Sequence, residues 1–179
     1  MELFQTTLEG VLLIEPAIFK DERGYFFESF NEVVWQKQGL PHSFIQDNQS
    51  FSTKGVLRGL HFQKGIHAQG KLVRVVSGKV LDIAVDIRPE SPTFGKYEFF
   101  ELDGKTNQMV YIPVGFAHGF LALEDSIFSY KCTAGYDKAS EAGIIWNDPT
   151  LQIKWPISDP IVSEKDLLLP TFEAYFKSN

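Results

Sequence analysis

Residues 56–78 concentrate side chains that apolar strands seldom carry. Arg58 and His61 sit in Val56-Leu57-Arg58-Gly59-Leu60-His61-Phe62-Gln63, and Lys71 and Arg74 in Lys71-Leu72-Val73-Arg74-Val75-Val76-Ser77-Gly78. Such groups are costly to bury without a partner or a task. An imidazole such as that of His61 suits proton removal near neutral pH, an ammonium at Lys71 can stabilise a developing enolate oxygen, and the phenol of Tyr130 can return a proton from another direction. Base, oxyanion stabiliser and acid are together the equipment for chemistry beside a carbonyl. Taken singly, each has a plainer reading: His61 as a hydrogen-bonded core histidine, Lys71 as a snorkelling strand residue, Tyr130 as core with its hydroxyl at the edge.

His61, His67 and His118 are the alternative, three nitrogen ligands for a metal ion. Lys71 among them would repel the ion, so no metal and no cofactor are expected. His67, in the turn between Gly65 and Gly70, is expected on a solvated rim, and His42, after Pro41, in a surface loop. Cys132 follows the apolar Phe128-Ser129-Tyr130 run and is expected as a small buried hydrophobe rather than a nucleophile.

The elements that must hold these groups are mostly strands. The pattern predicts strands at 11–14, 25–30, 44–50, 79–87, 97–102, 108–112, 119–123 and 127–133, with the two runs of 56–78 forming a hairpin and Asp103-Gly104 turning another. Helices are predicted at 32–38, capped by Asn31, and from Ser163, with Asp166 in the first turn. Many short strands with little helical periodicity imply an all-β jelly-roll barrel with short peripheral helices. Strict alternation puts Arg58 and His61 on opposite strand faces. Gly59 is where a bulge can reset the alternation; otherwise Arg58 acts at the strand end. Asp82, Ala84 and Asp86 share a face, which makes Asp82 the expected counter-ion of Lys71.

The chain of 179 residues is long enough for one domain, 1–179, with a substantial core, and its 16 Phe, 6 Tyr and 3 Trp suit pleated sheets. A net charge of -6 argues against a nucleic-acid surface. A single cysteine excludes an internal disulfide framework and suits a reducing compartment. Met1-Glu2-Leu3-Phe4 lacks a basic region followed by an apolar core, and no apolar run approaches the ~20 residues of a membrane span, so a cytoplasmic protein is expected.

Pro113-Val114-Gly115-Phe116-Ala117-His118 resembles the second motif of the cupin superfamily, while Gly78 has Lys71 where the first motif places a metal-binding Glu. An ammonium cannot coordinate a cation. The resemblance implies a cupin-type barrel whose metal site has been converted to another use. A closer likeness lies in Arg23-Gly24-Tyr25-Phe26-Phe27-Glu28-Ser29, Gln46-Asp47-Asn48, Leu57 to Gln63, Gln69 to Arg74, Asp82 to Arg88, Ser91 to Gly95, Ile112 to Phe120, Tyr130-Lys131 and Trp146-Asn147-Asp148. These resemble the dTDP-4-dehydrorhamnose 3,5-epimerase family over nearly the whole chain.

The resemblance implies a cofactor-independent isomerase acting on dTDP-4-dehydro-6-deoxy-glucose, whose 4-keto group acidifies the hydrogens at C3 and C5. It implies His61 as base oriented by Asp166, Tyr130 as acid, and Lys71 and His118 holding the ketone and sugar. It assigns Arg23, Glu28, Gln46, Asp47, Asn48 and Arg58 to the nucleotide and its pyrophosphate, with Glu141 and Lys165 as further contacts, and it implies a homodimer. A C5-only epimerase and a non-catalytic nucleotide-sugar-binding cupin are the alternatives. The chain departs from the family at Ala134-Gly135-Tyr136, where Asn-Tyr-Tyr is common and Gly135 supplies no aromatic ring.

Overall fold

The computed structural model describes residues 1–178. Among them the short β-branched and aromatic runs become thirteen strands: β1 (Glu2–Gln5), β2 (Leu12–Glu15), β3 (Phe19–Asp21), β4 (Gly24–Phe26), β5 (Gln46–Ser52), β6 (Leu57–Gln63), β7 (Lys71–Ser77), β8 (Lys79–Asp86), β9 (Tyr97–Asp103), β10 (Met109–Ile112), β11 (Phe116–Ala122), β12 (Ser126–Cys132) and β13 (Glu141–Gly143). Three short helices flank them: α1 (Glu32–Lys37), α2 (Glu164–Leu167) and α3 (Phe172–Ser178). The first two begin as predicted. Asn31 accepts from the Val34 amide, and Ser163 accepts from the Asp166 amide.

The strands form a six-stranded sheet, ordered β1-β2-β10-β7-β12-β5, and a five-stranded sheet, ordered β13-β6-β11-β8-β9, with β3 and β4 as a separate hairpin. The two large sheets stack as the expected cupin-type jelly roll. Between them lie Val73, Val75, Val110, Ile112 and Phe128 of the first sheet against Val80, Ala84, Phe100, Leu102, Phe116 and Phe120 of the second. The outer face of the larger sheet is covered around Trp35 of α1, and that of the smaller around Phe172 and Trp155. β1, β3, β13 and α3 were not expected from the sequence, and the strand predicted over 25–30 shortens to β4.

Two expected hairpins are corrected. β6 belongs to the five-stranded sheet and β7 to the six-stranded one, and β9 and β10 are likewise in different sheets. From β5 onward the chain changes sheet at every connection except β8 to β9. The physical reason lies in the turns. Residues 64–70, with a 3-10 turn at Gly65–His67, carry the chain across the sandwich, and Gly78 turns the corner between β7 and β8. At φ 81°, with an added Cβ only 2.2 Å from the Asp125 carbonyl oxygen, Gly78 has no room for a side chain. His61 and Lys71 therefore lie on opposing walls, not side by side.

Asp86 ends β8 and ties down the loop that follows. Its carboxylate accepts from Arg88 Nε at 2.9 Å, Arg88 Nη2 at 2.6 Å, and the hydroxyls of Ser91 and Thr93, each at 2.6 Å. Burial pushes this carboxyl up, but the donors outweigh burial and bring it down to about 2. A depressed carboxylate stabilises the fold fully above its unfolded value of 3.8 and loses that contribution as pH falls toward 2, a term of ~2 kcal/mol. Asp86→Asn is expected to lower stability at pH 7 by about 2–4 kcal/mol and to flatten the fall in stability between pH 4 and 2, measured by denaturant unfolding at each pH.

Candidate active site

The open end of the sandwich forms a cleft of about 540 Å³, lined by Arg58, His61, Lys71, His118, Tyr130 and Asp166 together with Ser50, Phe120, Phe128, Ile161 and Lys165. A smaller lobe of about 130 Å³ shares His61, Lys71 and Tyr130 and adds Gln46, Gln63, Gln69, Tyr136 and Glu141. The base, oxyanion stabiliser and acid expected from sequence thus meet in one hollow.

The facing of Arg58 and His61 is resolved by a bulge. His118 pairs with His61 and Phe120 with Arg58, so β6 spends three residue steps where β11 spends two. Gly59 holds φ 120° in the bulge, and an added Cβ there would lie 2.8 Å from the His118 carbonyl oxygen and 2.7 Å from Gly119 Cα. The extra residue resets the alternation, and both side chains line the same cleft. Arg58 Nε donates to Ser52 Oγ at 3.0 Å and its Nη2 to the Phe51 carbonyl at 3.2 Å, so β5 braces the guanidinium at the cleft wall.

The same bulge helps to hold Asp166. The Gly59 amide donates to Asp166 Oδ2 at 3.2 Å, while Asp166 Oδ1 lies 2.7 Å from His61 Nε2. The strand-like pairing of Ile161 with Gly55 and Leu57 docks the chain just before α2 beside the start of β6. Burial pushes the Asp166 carboxyl up, and the bond to His61 with the Gly59 amide outweighs it, so the group lies below the usual carboxylate range. A carboxylate only accepts, so His61 Nε2 carries the hydrogen and Nδ1 holds the lone pair of a base. The His61 side chain is 32% exposed and Asp166 only 5%, so substrate can reach the imidazole but not its orienting carboxylate.

On the opposing sheet Lys71 opens β7 and Tyr130 lies on β12. Burial lowers the proton affinity of Lys71, opposed by the fields of Cys132, Asp82 and Glu141. Burial also pushes the Tyr130 phenol up, so at neutral pH it keeps the proton an acid must give. Asp82, expected as counter-ion to Lys71, acts on it through its field, while its hydrogen bond goes elsewhere: Asp82 Oδ2 lies 2.7 Å from His118 Nε2. Both belong to the smaller sheet and share its inner face through the β8–β11 pairing, whereas Lys71 stands on the facing sheet. Among the described residues Asp82 Oδ1 has no hydrogen-bond partner, and Lys71 acts on this carboxylate through its field. Burial pushes Asp82 up and His118 down, favouring the uncharged form of each.

The remaining predicted residues divide. Gln46 and Asn48 are bonded to each other at 2.9 Å, whereas Asp47 turns to the other face and pairs with Lys131. Glu141 joins Lys165 across the cleft wall and accepts from the Tyr136 hydroxyl at 2.9 Å. Arg23 and Glu28 do not line this cleft: Arg23 is bound to Asp21 on the exposed β3–β4 hairpin, and Glu28 accepts from Asn31. Among the described residues no three His, Cys, Asp or Glu side chains gather into a metal-holding group, and His67 does not line the cleft. Sequence reasoning missed the wall contributed by Ile161 and the part played by Tyr136, Gln63 and Gln69. Gln63 and Gln69 stand inside motifs that resemble the family and Tyr136 in the segment that departs from it, but side-chain type alone gave none of them a role.

That barrel and that constellation define a class: a jelly-roll enzyme equipped for acid–base chemistry. The chain belongs to the dTDP-4-dehydrorhamnose 3,5-epimerase family, whose model matches residues 5–174. It is 50% identical over 169 residues to the dTDP-4-dehydrorhamnose 3,5-epimerase of Shigella flexneri, covering 93% of each chain. The crystal structure of the Elizabethkingia anophelis NUHP1 enzyme of that name is similar at a TM-score of 0.92 and 48% identity, over 97% of both chains. A Legionella pneumophila Philadelphia 1 epimerase solved with dTDP-4-keto-L-rhamnose gives 0.91 at 44% identity, over 96% of this chain and 93% of that one.

Gly59→Ala tests the bulge. The new methyl group meets the β11 backbone at His118 and Gly119, so this variant is expected to lose at least ~10-fold in kcat/KM and ~2–4 kcal/mol of stability, read by steady-state kinetics and denaturant unfolding. Wild-type values for both would remove the bulge from the account.

Proposed function

We propose that this protein converts dTDP-4-dehydro-6-deoxy-glucose to dTDP-4-dehydro-L-rhamnose by inverting C3 and C5, without a cofactor. The observation that carries this is the His61–Asp166 pair sharing one cleft with Lys71 and Tyr130. His61 Nδ1 takes the proton from the carbon beside the ketone, the C–H electron pair becomes the enolate double bond, and negative charge collects on the C4 oxygen. The Lys71 ammonium stabilises that oxygen, in a cleft where low polarity strengthens the interaction. Tyr130 then gives its proton to the carbon from the other face, and the Arg58 field eases the phenolate left behind. Exchange with solvent restores both groups, and the cycle repeats at the second carbon.

Nucleotide and pyrophosphate contacts fall to Arg58, Gln46, Asn48, Glu141 and Lys165, with Arg58 suited to phosphate by its forked donors, while His118 joins Lys71 at the sugar. Arg23 and Glu28 belong to the partner's site in a homodimer. Support comes from the β3–β4 hairpin, which is too exposed for a lone chain: Phe19 and Phe26 are each 65% and Tyr25 56% accessible. Residues 1–179 act as one catalytic domain in the cytoplasm, a reading supported by the lone reduced Cys132. Among the described residues no helix is long and apolar enough to cross a membrane.

Incubation with the 4-keto nucleotide sugar in heavy water is expected to place deuterium at both C3 and C5, read by NMR; label at only one carbon would sink the double inversion. His61→Asn is expected to lower kcat by ~10²–10⁴. Tyr130→Phe should still exchange deuterium while net inversion falls, and loss of both together would reassign the acid. Mixing inactive Arg23→Ala and His61→Asn subunits in equal amounts is expected to restore roughly a quarter of wild-type activity once subunits re-pair at random, because about half of the dimers are mixed and each of those has one intact site. No recovery on subunit exchange would assign Arg23 to its own chain.

A further inference from the structure

The segment between β12 and β13 is tied at its ends, where Thr133 Oγ1 accepts from the Gly70 amide at 2.8 Å and Asp137 from the Ser140 amide at 2.8 Å, and between them it carries Tyr136 into the wall of the smaller lobe. Ala134 and Gly135 offer no polar group, and a Cβ added at Gly135 meets nothing within 4 Å. Its backbone is instead held by three glutamines from separate parts of the chain. Gln69 Nε2 donates to the Ala134 carbonyl at 2.8 Å, Gln46 Oε1 accepts from the Tyr136 amide at 2.8 Å, and Gln63 Oε1 accepts from the Asp137 amide at 2.9 Å. Gln46 opens β5 of one sheet, Gln63 closes β6 of the other, and Gln69 lies in the crossover between them. Gln63 is 8% exposed, and a buried amide is kept for the bonds it makes. A neutral amide also supplies donor or acceptor without disturbing the field around Lys71.

We propose that Gln63 and Gln69 are positioning residues. With Gln46 they clamp residues 134–137, set Tyr136, and thereby govern how tightly the nucleotide sugar is held, without entering the chemistry. Once Tyr136 is set, its hydroxyl reaches Glu141, which pairs with Lys165 beside Asp166, so the clamp fixes one side of the cleft against α2. The inference rests on the function proposed above.

Gln63→Met and Gln69→Met are each expected to raise KM ~5–10-fold with kcat within about twofold of wild type, the size of one lost hydrogen bond. In a Tyr136→Ala background neither change is expected to raise KM further, because both act through Tyr136. Gln63→Glu keeps an acceptor for the Asp137 amide and is expected to recover most of the loss; Gln69→Glu lacks a donor for Ala134 and should resemble Gln69→Met. Unchanged KM in both Met variants, equal falls in kcat and kcat/KM, or additive effects on Tyr136→Ala would each overturn the clamp. Amide exchange at Tyr136 and Asp137 reads it without substrate. Faster exchange of Asp137 in Gln63→Met supports the clamp, and unchanged exchange overturns it, even if the wild-type protein proved inactive on this sugar.

Discussion

One extra residue in β6 is the constraint on which the rest of the site depends. Without the bulge at Gly59, period-two alternation would send either Arg58 or His61 out of the cleft. The bulge does more than turn a side chain. It frees the Gly59 amide from the ladder and points it at Asp166, so the residue that sets the facing of His61 also helps to hold the carboxylate bonded to that imidazole. Close approach of β11 is part of the same constraint, since an added Cβ at Gly119 would lie 2.6 Å from the Arg58 carbonyl oxygen.

The second organising fact is the repeated change of sheet. A chain that turned back on itself at residues 64–70 would place Lys71 beside His61 on one wall. Crossing instead sets imidazole and carboxylate on one wall and ammonium and phenol on the other, with room between them for a flat sugar ketone. Acid and base that must act on opposite faces of a ring need this separation. The apolar interior that ends at Phe120 and Phe128 supplies the low polarity that lowers Lys71, raises Tyr130, and makes the Asp82–His118 pair hold together.

The walls differ in how they are fixed. The catalytic groups sit on strands and a capped helix, where the ladder and the cap determine their place. The smaller lobe is closed by residues 134–137, which lie outside the strand ladders and are held by side-chain amides, with the Tyr136 hydroxyl bonded to Glu141. Rigid chemistry and a tied binding wall thus share one cleft, and the tie lies in residues outside the acid–base set.

The sequence by itself determined the strand-rich class and the helix starts at Asn31 and Ser163, which rest on local patterning and capping chemistry; side-chain type singled out His61, Lys71 and Tyr130, and the family resemblance added Asp166. It narrowed the Arg58 problem to Gly59, because only a residue without a Cβ tolerates that backbone. It misplaced the hairpins at 56–78 and 103–104, since local turn chemistry does not say which sheet the next strand joins. It gave Asp82 as counter-ion to Lys71, which its field reaches, but not the side-chain hydrogen bond that Asp82 makes across the β8–β11 pairing to His118. Nor did it see Gln63, Gln69 and Tyr136 as one group, because their contacts span up to 90 residues of chain. Only the tertiary structure decided those, since register, sheet assignment and loop anchoring are fixed by contacts between segments that carry no mark of one another in sequence.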